Sequence, residues 1–192
     1  MGGLGITFPF ILVLGAIVLD SNIGIEPTIS DYYDTVMIGV FVGVLFAIGV
    51  FLFSYQGYDK RDNIAGYLAC VFAIGVALFP STADSAFVQT VHFVSATALF
   101  LTLAYFSFFL FTKSKDEPPL PPRKAARNRV YTTCAVVIVV SIALIGVYNL
   151  FLADTAIDAI KPVFILETLA LEAFGMSWVV KGEALLGDEP AD

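Results

Sequence analysis

The chain has 192 residues, of which 58% are hydrophobic and only 14% charged, with a mean hydropathy of +0.87. A water-soluble domain of this length has no core large enough to absorb that much apolar surface, so a soluble globular fold is excluded. The formal net charge of -7 does not point to a basic partner, because acidic and basic residues are sorted into different connecting segments.

A hydrocarbon core about 30 Å thick takes roughly 20 apolar residues at about 1.5 Å each. Runs of near that length fall at about 3–19, 36–55, 64–80, 87–112, 130–152 and 162–180, and all but the sixth are uncharged. They predict an all-α membrane protein, a six-transmembrane-helix bundle in a single domain. The first run has no positively charged start and no A-x-A-like cleavage site, so it is expected to be a retained helix rather than a signal peptide. In the second and third runs Gly39, Gly43 and Ala47, and Ala65, Ala69, Ala73 and Ala77, recur every fourth residue. Small residues at that spacing let backbones approach closely, which predicts a tight hairpin between these two helices, with a homodimer face on Gly39 and Gly43 as the rival use. Cys70 and Cys134 each lie inside an apolar run, without a second Cys or a His nearby, and are expected to be buried free thiols.

The connector over 113–129 holds Pro118, Pro119, Pro121 and Pro122 and several cations. It is expected to be a semi-rigid polyproline II linker, with anionic lipid headgroups or a docking partner as its possible ligands. Lys60, Arg61, Lys113, Lys115, Arg123, Lys124, Arg127, Arg129 and Lys181 all fall on the same side of the predicted spans, against Lys161 alone on the other. The positive-inside rule assigns that side, and with it both termini, to the cytoplasm. The opposite connections carry Asp20, Glu26, Asp31, Asp34, Asp84, Asp154 and Asp158. Aromatic anchors agree, with Tyr32 and Tyr33 at the outer boundary and Tyr55, Tyr58, Tyr131 and Trp178 near the inner one.

An ionisable side chain in an otherwise apolar helix costs roughly 2.5–3.5 kcal/mol at mid-bilayer on insertion scales, so each such residue needs a partner or a purpose. His92 and Glu167 both lie about five residues inside the outer ends of their helices, roughly 7–8 Å deep, which makes contact between them feasible. Gln89 and Ser95 share the face of His92 at i−3 and i+3, and Asn149 reaches a similar depth. Ser81, Thr82 and Asp84 lie at the neighbouring turn, and Tyr32 and Tyr33 are placed to close over it. The expectation is an outward-facing polar pocket centred on a His92–Glu167 pair, which either binds a headgroup or small solute, exchanges a proton, or only fixes helix register. Glu172 is deeper and turned about 140° from Glu167, so the two do not share a face. It is expected to be a neutral hydrogen-bonded carboxyl, with a proton relay as the rival role.

A single histidine excludes a bis-histidine haem and a multi-histidine zinc centre, and no cofactor or metal is expected. Neither a Gly-x-Ser-x-Gly elbow nor a phosphate-binding glycine loop is present. The segments SDYYDT, VFVGVLFAIGVFLFSYQGYD, NIAGYLACVFAIGVALFP, VHFVSA and FGMSWVVKGE, with the turn Tyr55, Gly57, Tyr58, Asp59 and Asp62, resemble the bacterial membrane family called domain of unknown function 998. The resemblance runs over nearly the whole chain and implies a multi-pass protein of a bacterial inner membrane, with no activity attached. The leading expectation is therefore a non-enzymatic binder of membrane lipids or a small solute, without nucleic acid. Its rivals are an intramembrane lipid-modifying enzyme with His92 as base, Glu167 orienting it and Ser95 or water as nucleophile, a proton-coupled transporter, and a structural or regulatory subunit.

Overall fold

The computed structural model describes residues 1–20, 24–57, 60–114, 121–182 and 185–186, and of Arg61 only the backbone. Within them the chain is all-helical, without strands: α1 (Gly2–Leu19), α2 (Ile38–Phe53), α3 (Lys60–Leu78), α4 (Ala86–Tyr105), α5 (Pro122–Phe151) and α6 (Pro162–Lys181). Long apolar runs offer the backbone no polar side chains, so they satisfy their N–H and C=O groups internally, as helices. By length and composition α1, α4 with its continuation to Leu110, α5 and α6 can each cross a membrane, while the apolar parts of α2 and α3 are shorter. Proline marks the starts of α5 and α6, where its fixed φ suits the first helical residue and its missing N–H has no role.

Each helix packs on its neighbours in sequence and α6 returns against α1, so the six helices close into a ring. Its centre is filled by side chains such as Phe8, Leu12, Phe41, Leu52, Leu103 and Leu171. The closure between α1 and α6 depends on glycine. A Cβ on Gly175 would come 2.8 Å from the Gly2 carbonyl oxygen, and one on Gly2 would come 2.7 Å from the Gly175 carbonyl oxygen.

The expected α2–α3 hairpin forms, with Ala65, Ala69, Ala73 and Ala77 all buried. The glycines that permit it are not the expected ones. Gly49 lies against Cys70 and Ala73, and Gly66 lies so close to Leu52 that a Cβ would meet its carbonyl oxygen at 2.5 Å. Gly39 and Gly43 have nothing within 4 Å of where a Cβ would stand, because their face of α2 points away from α3.

The bundle has two chemically different ends. At one, Lys124 donates to the carbonyls of Phe111 (3.1 Å) and Lys113 (3.0 Å), Lys113 pairs with fully buried Asp62 (2.5 Å), and Arg127 donates to the Leu186 carbonyl (3.0 Å). Cations are favourable there, because the last carbonyls of α4 lack helical partners. An aromatic cluster of Tyr55, Phe106, Phe111, Phe174 and Trp178 lies directly beneath, around a π-helical turn at Phe106–Leu110. The expected linker is shorter than its prolines suggested. α5 starts at Pro122, so Arg123, Lys124, Arg127 and Arg129 are on a helix rather than on an extended strand of chain. Lys115, Pro118, Pro119, Tyr58 and Asp59 lie outside the described residues.

Candidate functional site

At the opposite end the α1–α2 connection sinks into the ring instead of crossing over it. Ile29, Ser30 and Tyr32 are all buried. Its shape is set locally by a reciprocal pair of bonds: the Thr28 N–H donates to Asp31 Oδ2 and the Asp31 N–H donates to Thr28 Oγ1, both at 3.1 Å. This is the geometry of a capping box, here starting the short 3-10 helix Ser30–Asp34. The loop is then tied to α6 and to the α3–α4 turn. The Phe164 N–H in the first turn of α6 donates to the Pro27 carbonyl (3.1 Å), Tyr32 lies against the Phe164 ring (6.4 Å between centroids), and the Thr82 hydroxyl donates to the Asp34 carboxylate.

His92 and Glu167 provide the remaining ties. His92, on α4, is almost fully buried, with Nδ1 2.7 Å from the Phe79 carbonyl oxygen and Nε2 3.0 Å from Ser30 Oγ. A carbonyl only accepts, so Nδ1 carries a proton, and in the neutral ring Nε2 accepts from the Ser30 hydroxyl. Glu167, on α6, accepts from the Ile29 N–H through Oε2 at 2.7 Å. The expected direct bond between His92 and Glu167 is therefore replaced by a shared grip on consecutive loop residues. The loop lies between the two side chains, and its backbone N–H and serine hydroxyl are better placed partners than either side chain is for the other.

Both residues line one cavity of about 660 Å³ between α4, α5, α6 and the loop. Its polar rim includes Thr28, Ser30, Asp31, Thr82 and Asn149, and its interior is apolar, with Phe93, Ala96, Phe100, Ile142 and Ile145. The Ser81 hydroxyl also lines it, and its oxygen is buried without a hydrogen-bond partner. Burial pushes the Asp31 carboxyl above the usual aspartate range; its bonds from Thr28 oppose that shift, Asp34 adds to it, and His92 opposes it. Mutual placement of an imidazole, two carboxyls, hydroxyls and an amide above an apolar interior suits an amphipathic ligand.

Of the other expected site residues, Asn149 lines the cavity. Gln89 does not; its Nε2 donates to the Ala83 carbonyl (2.8 Å) and closes the turn before α4. Ser95 is buried against Gly75 of α3, so closely that a Cβ on that glycine would collide with Ser95 Oγ, and it faces away from the cavity. Glu172 is half-buried and is not part of the lining. Thr28, Ser30 and Asp31 were not anticipated, although the Thr-x-x-Asp spacing of the capping box was visible beforehand. Cys70 and Cys134 are free thiols, the second buried and the first half-buried. No protein-family model matches this chain, and no curated protein and no solved structure matches it.

Proposed function

We propose that the chain is a six-span protein of a bacterial inner membrane, with its basic end in the cytoplasm, whose outward cavity binds the polar head of a membrane lipid or a small amphipathic solute. The likeness to the domain of unknown function 998 family belongs to the same proposal. The single observation that carries it is the cavity's composition: polar groups from the α1–α2 loop, the α3–α4 turn, α4, α5 and α6 converge on one mouth above an apolar interior. The four long apolar helices support the membrane setting. α2, at ~24 Å by its helical rise, spans most of a core about 30 Å thick, and the connections at its ends complete the crossing.

Gly146 offers a clean test, because it lines the cavity and a Cβ there would meet nothing within 4 Å. Native mass spectrometry of the detergent-purified protein is expected to show a retained lipid or solute adduct, lost in Gly146→Phe. An adduct of equal abundance in both proteins, or none in either, contradicts the reading.

One observation favours a second reading, the lipid-modifying enzyme. A hydroxyl does lie at the imidazole, but it is Ser30 and not Ser95, and the ring is oriented from behind by the Phe79 carbonyl. That is the arrangement of a nucleophile, a base and an orienting group. Labelling of Ser30 by a fluorophosphonate, abolished in Ser30→Ala and in His92→Gln, supports this reading; absence of labelling in the wild-type protein removes it.

A further inference from the structure

The α4–α5 contact is looser than the α3–α4 or α5–α6 contact, and two open spaces lie along it. The first is the cavity. The second is a groove of about 460 Å³, lined by Leu101, Ala104 and Tyr105 of α4, by Phe108 of the π-helical turn that continues it and by Val136 and Val139 of α5, among others, with no charged side chain among the described residues. The two share their helix faces. On α4 the lining steps from Phe93 through Ala96 and Phe100 to Ala104 and Phe108, and on α5 from Asn149 through Ile145 and Ile142 to Val139 and Val136. Steps of three and four residues follow one helical stripe, so the groove continues the cavity toward the basic end. From Phe93 to Phe108 this seam runs for ~22 Å at the helical rise, longer than the ~15 Å depth of one leaflet. Its outer wall is open, since Phe93, Leu101, Phe108, Val136 and Val139 are all exposed on the bundle surface.

The head of the seam has a definite charge preference. Asp31 and Glu167 line the cavity, and among the described residues no Lys or Arg does. An anionic head such as a phosphate monoester would meet carboxyls with no lysine or arginine to answer it among the described residues, whereas an ammonium finds carboxyl, hydroxyl and amide acceptors in a cavity also lined by the aromatic residues Phe93 and Phe100.

We propose that cavity and groove are one site for a long-chain amphiphile, its ammonium-bearing head against Asp31 and Glu167 and its alkyl chain lying in the α4–α5 groove. This rests on the cavity being a binding site. The groove supplies chain-length selectivity, the rim selects against anionic heads, and the open outer wall lets the chain enter sideways from the bilayer.

The test uses the full chain in phosphatidylcholine nanodiscs and a hexadecylamine carrying a diazirine near its chain end. Light-induced crosslinks are expected on residues 101–109 and 135–140. Excess hexadecylamine should suppress them at least tenfold more effectively than butylamine or hexadecyl phosphate. Val139→Trp, which fills the groove from an exposed position, should lower crosslinking about tenfold, and Val147→Trp, exposed on α5 but outside both linings, should leave it unchanged. Equal competition by hexadecyl phosphate overturns the head assignment. Equal competition by butylamine overturns the chain assignment while leaving the cavity as an amine site. Crosslinks spread evenly over the lipid-facing surface and displaced by none of the three overturn the proposal together with the reading of the cavity.

Discussion

Glu167 and His92 do different work from that of an ion pair. Each satisfies a backbone group: Glu167 accepts from the buried Ile29 N–H, and His92 donates to the Phe79 carbonyl at the end of α3. Glu167→Leu should therefore destabilise the fold by about 1–3 kcal/mol, the usual effect of leaving a buried donor unsatisfied, while Glu167→Gln, whose amide oxygen still accepts, should lose clearly less. Thermal unfolding in detergent distinguishes them; equal losses would mean that the charge and not the hydrogen bond matters. Asp31 contributes a pH response. Its folded carboxyl titrates above the usual aspartate range because of burial, so the folded state holds its proton more tightly than the unfolded chain does. That contribution to stability is complete below the ordinary aspartate range and is lost as pH rises through the raised folded value. Hydrogen exchange at residues 28–32 should accordingly quicken across that interval, beyond the intrinsic pH dependence of exchange, in the wild-type protein and not in Asp31→Asn. An identical profile in the two proteins contradicts this.

Among the elements, the helices were legible because unbroken apolar runs leave few alternatives, and the buried alanine face of α3 was legible from its spacing. Other features depended on tertiary contact. Gly2 and Gly5 share the face of α1 that meets Gly175, but 170 or more positions separate them from it, so nothing local predicts that these backbones touch. Gly39 and Gly43 carry the expected spacing and yet face outward, because spacing identifies a flat stripe but not its partner. The start of α5 was misplaced because four nearby prolines suggest extended chain, while Pro122 in the first turn is compatible with a helix. His92, Glu167 and Asn149 lie at similar depth and line one cavity, but depth says nothing about what lies between helices, and there the loop intervenes. Gly175→Leu should cost about 1–3 kcal/mol and separate α1 from α6, since the obstacle is backbone and cannot rotate away. Gly39→Leu meets open space and should leave the unfolding temperature of the detergent-solubilised protein unchanged.

For the whole molecule, the ring gives its two ends opposite characters. The basic end is closed by lysine and arginine bonds to carbonyls over an aromatic cluster, and the acidic end holds the inserted loop and the cavity. A protein so organised is expected to be rigid at its basic end and accessible to a ligand at its acidic end and along the open α4–α5 seam. The most direct measurement is the accessibility of one cysteine at the cavity mouth. In a chain carrying Cys70→Ala and Cys134→Ala, Asn149→Cys should react with a membrane-impermeant maleimide added to the outside of intact spheroplasts, and the reaction should slow several-fold when Gly146→Phe fills the cavity. Labelling only after the membrane is permeabilised, or at a rate indifferent to Gly146→Phe, would contradict an outward-facing cavity.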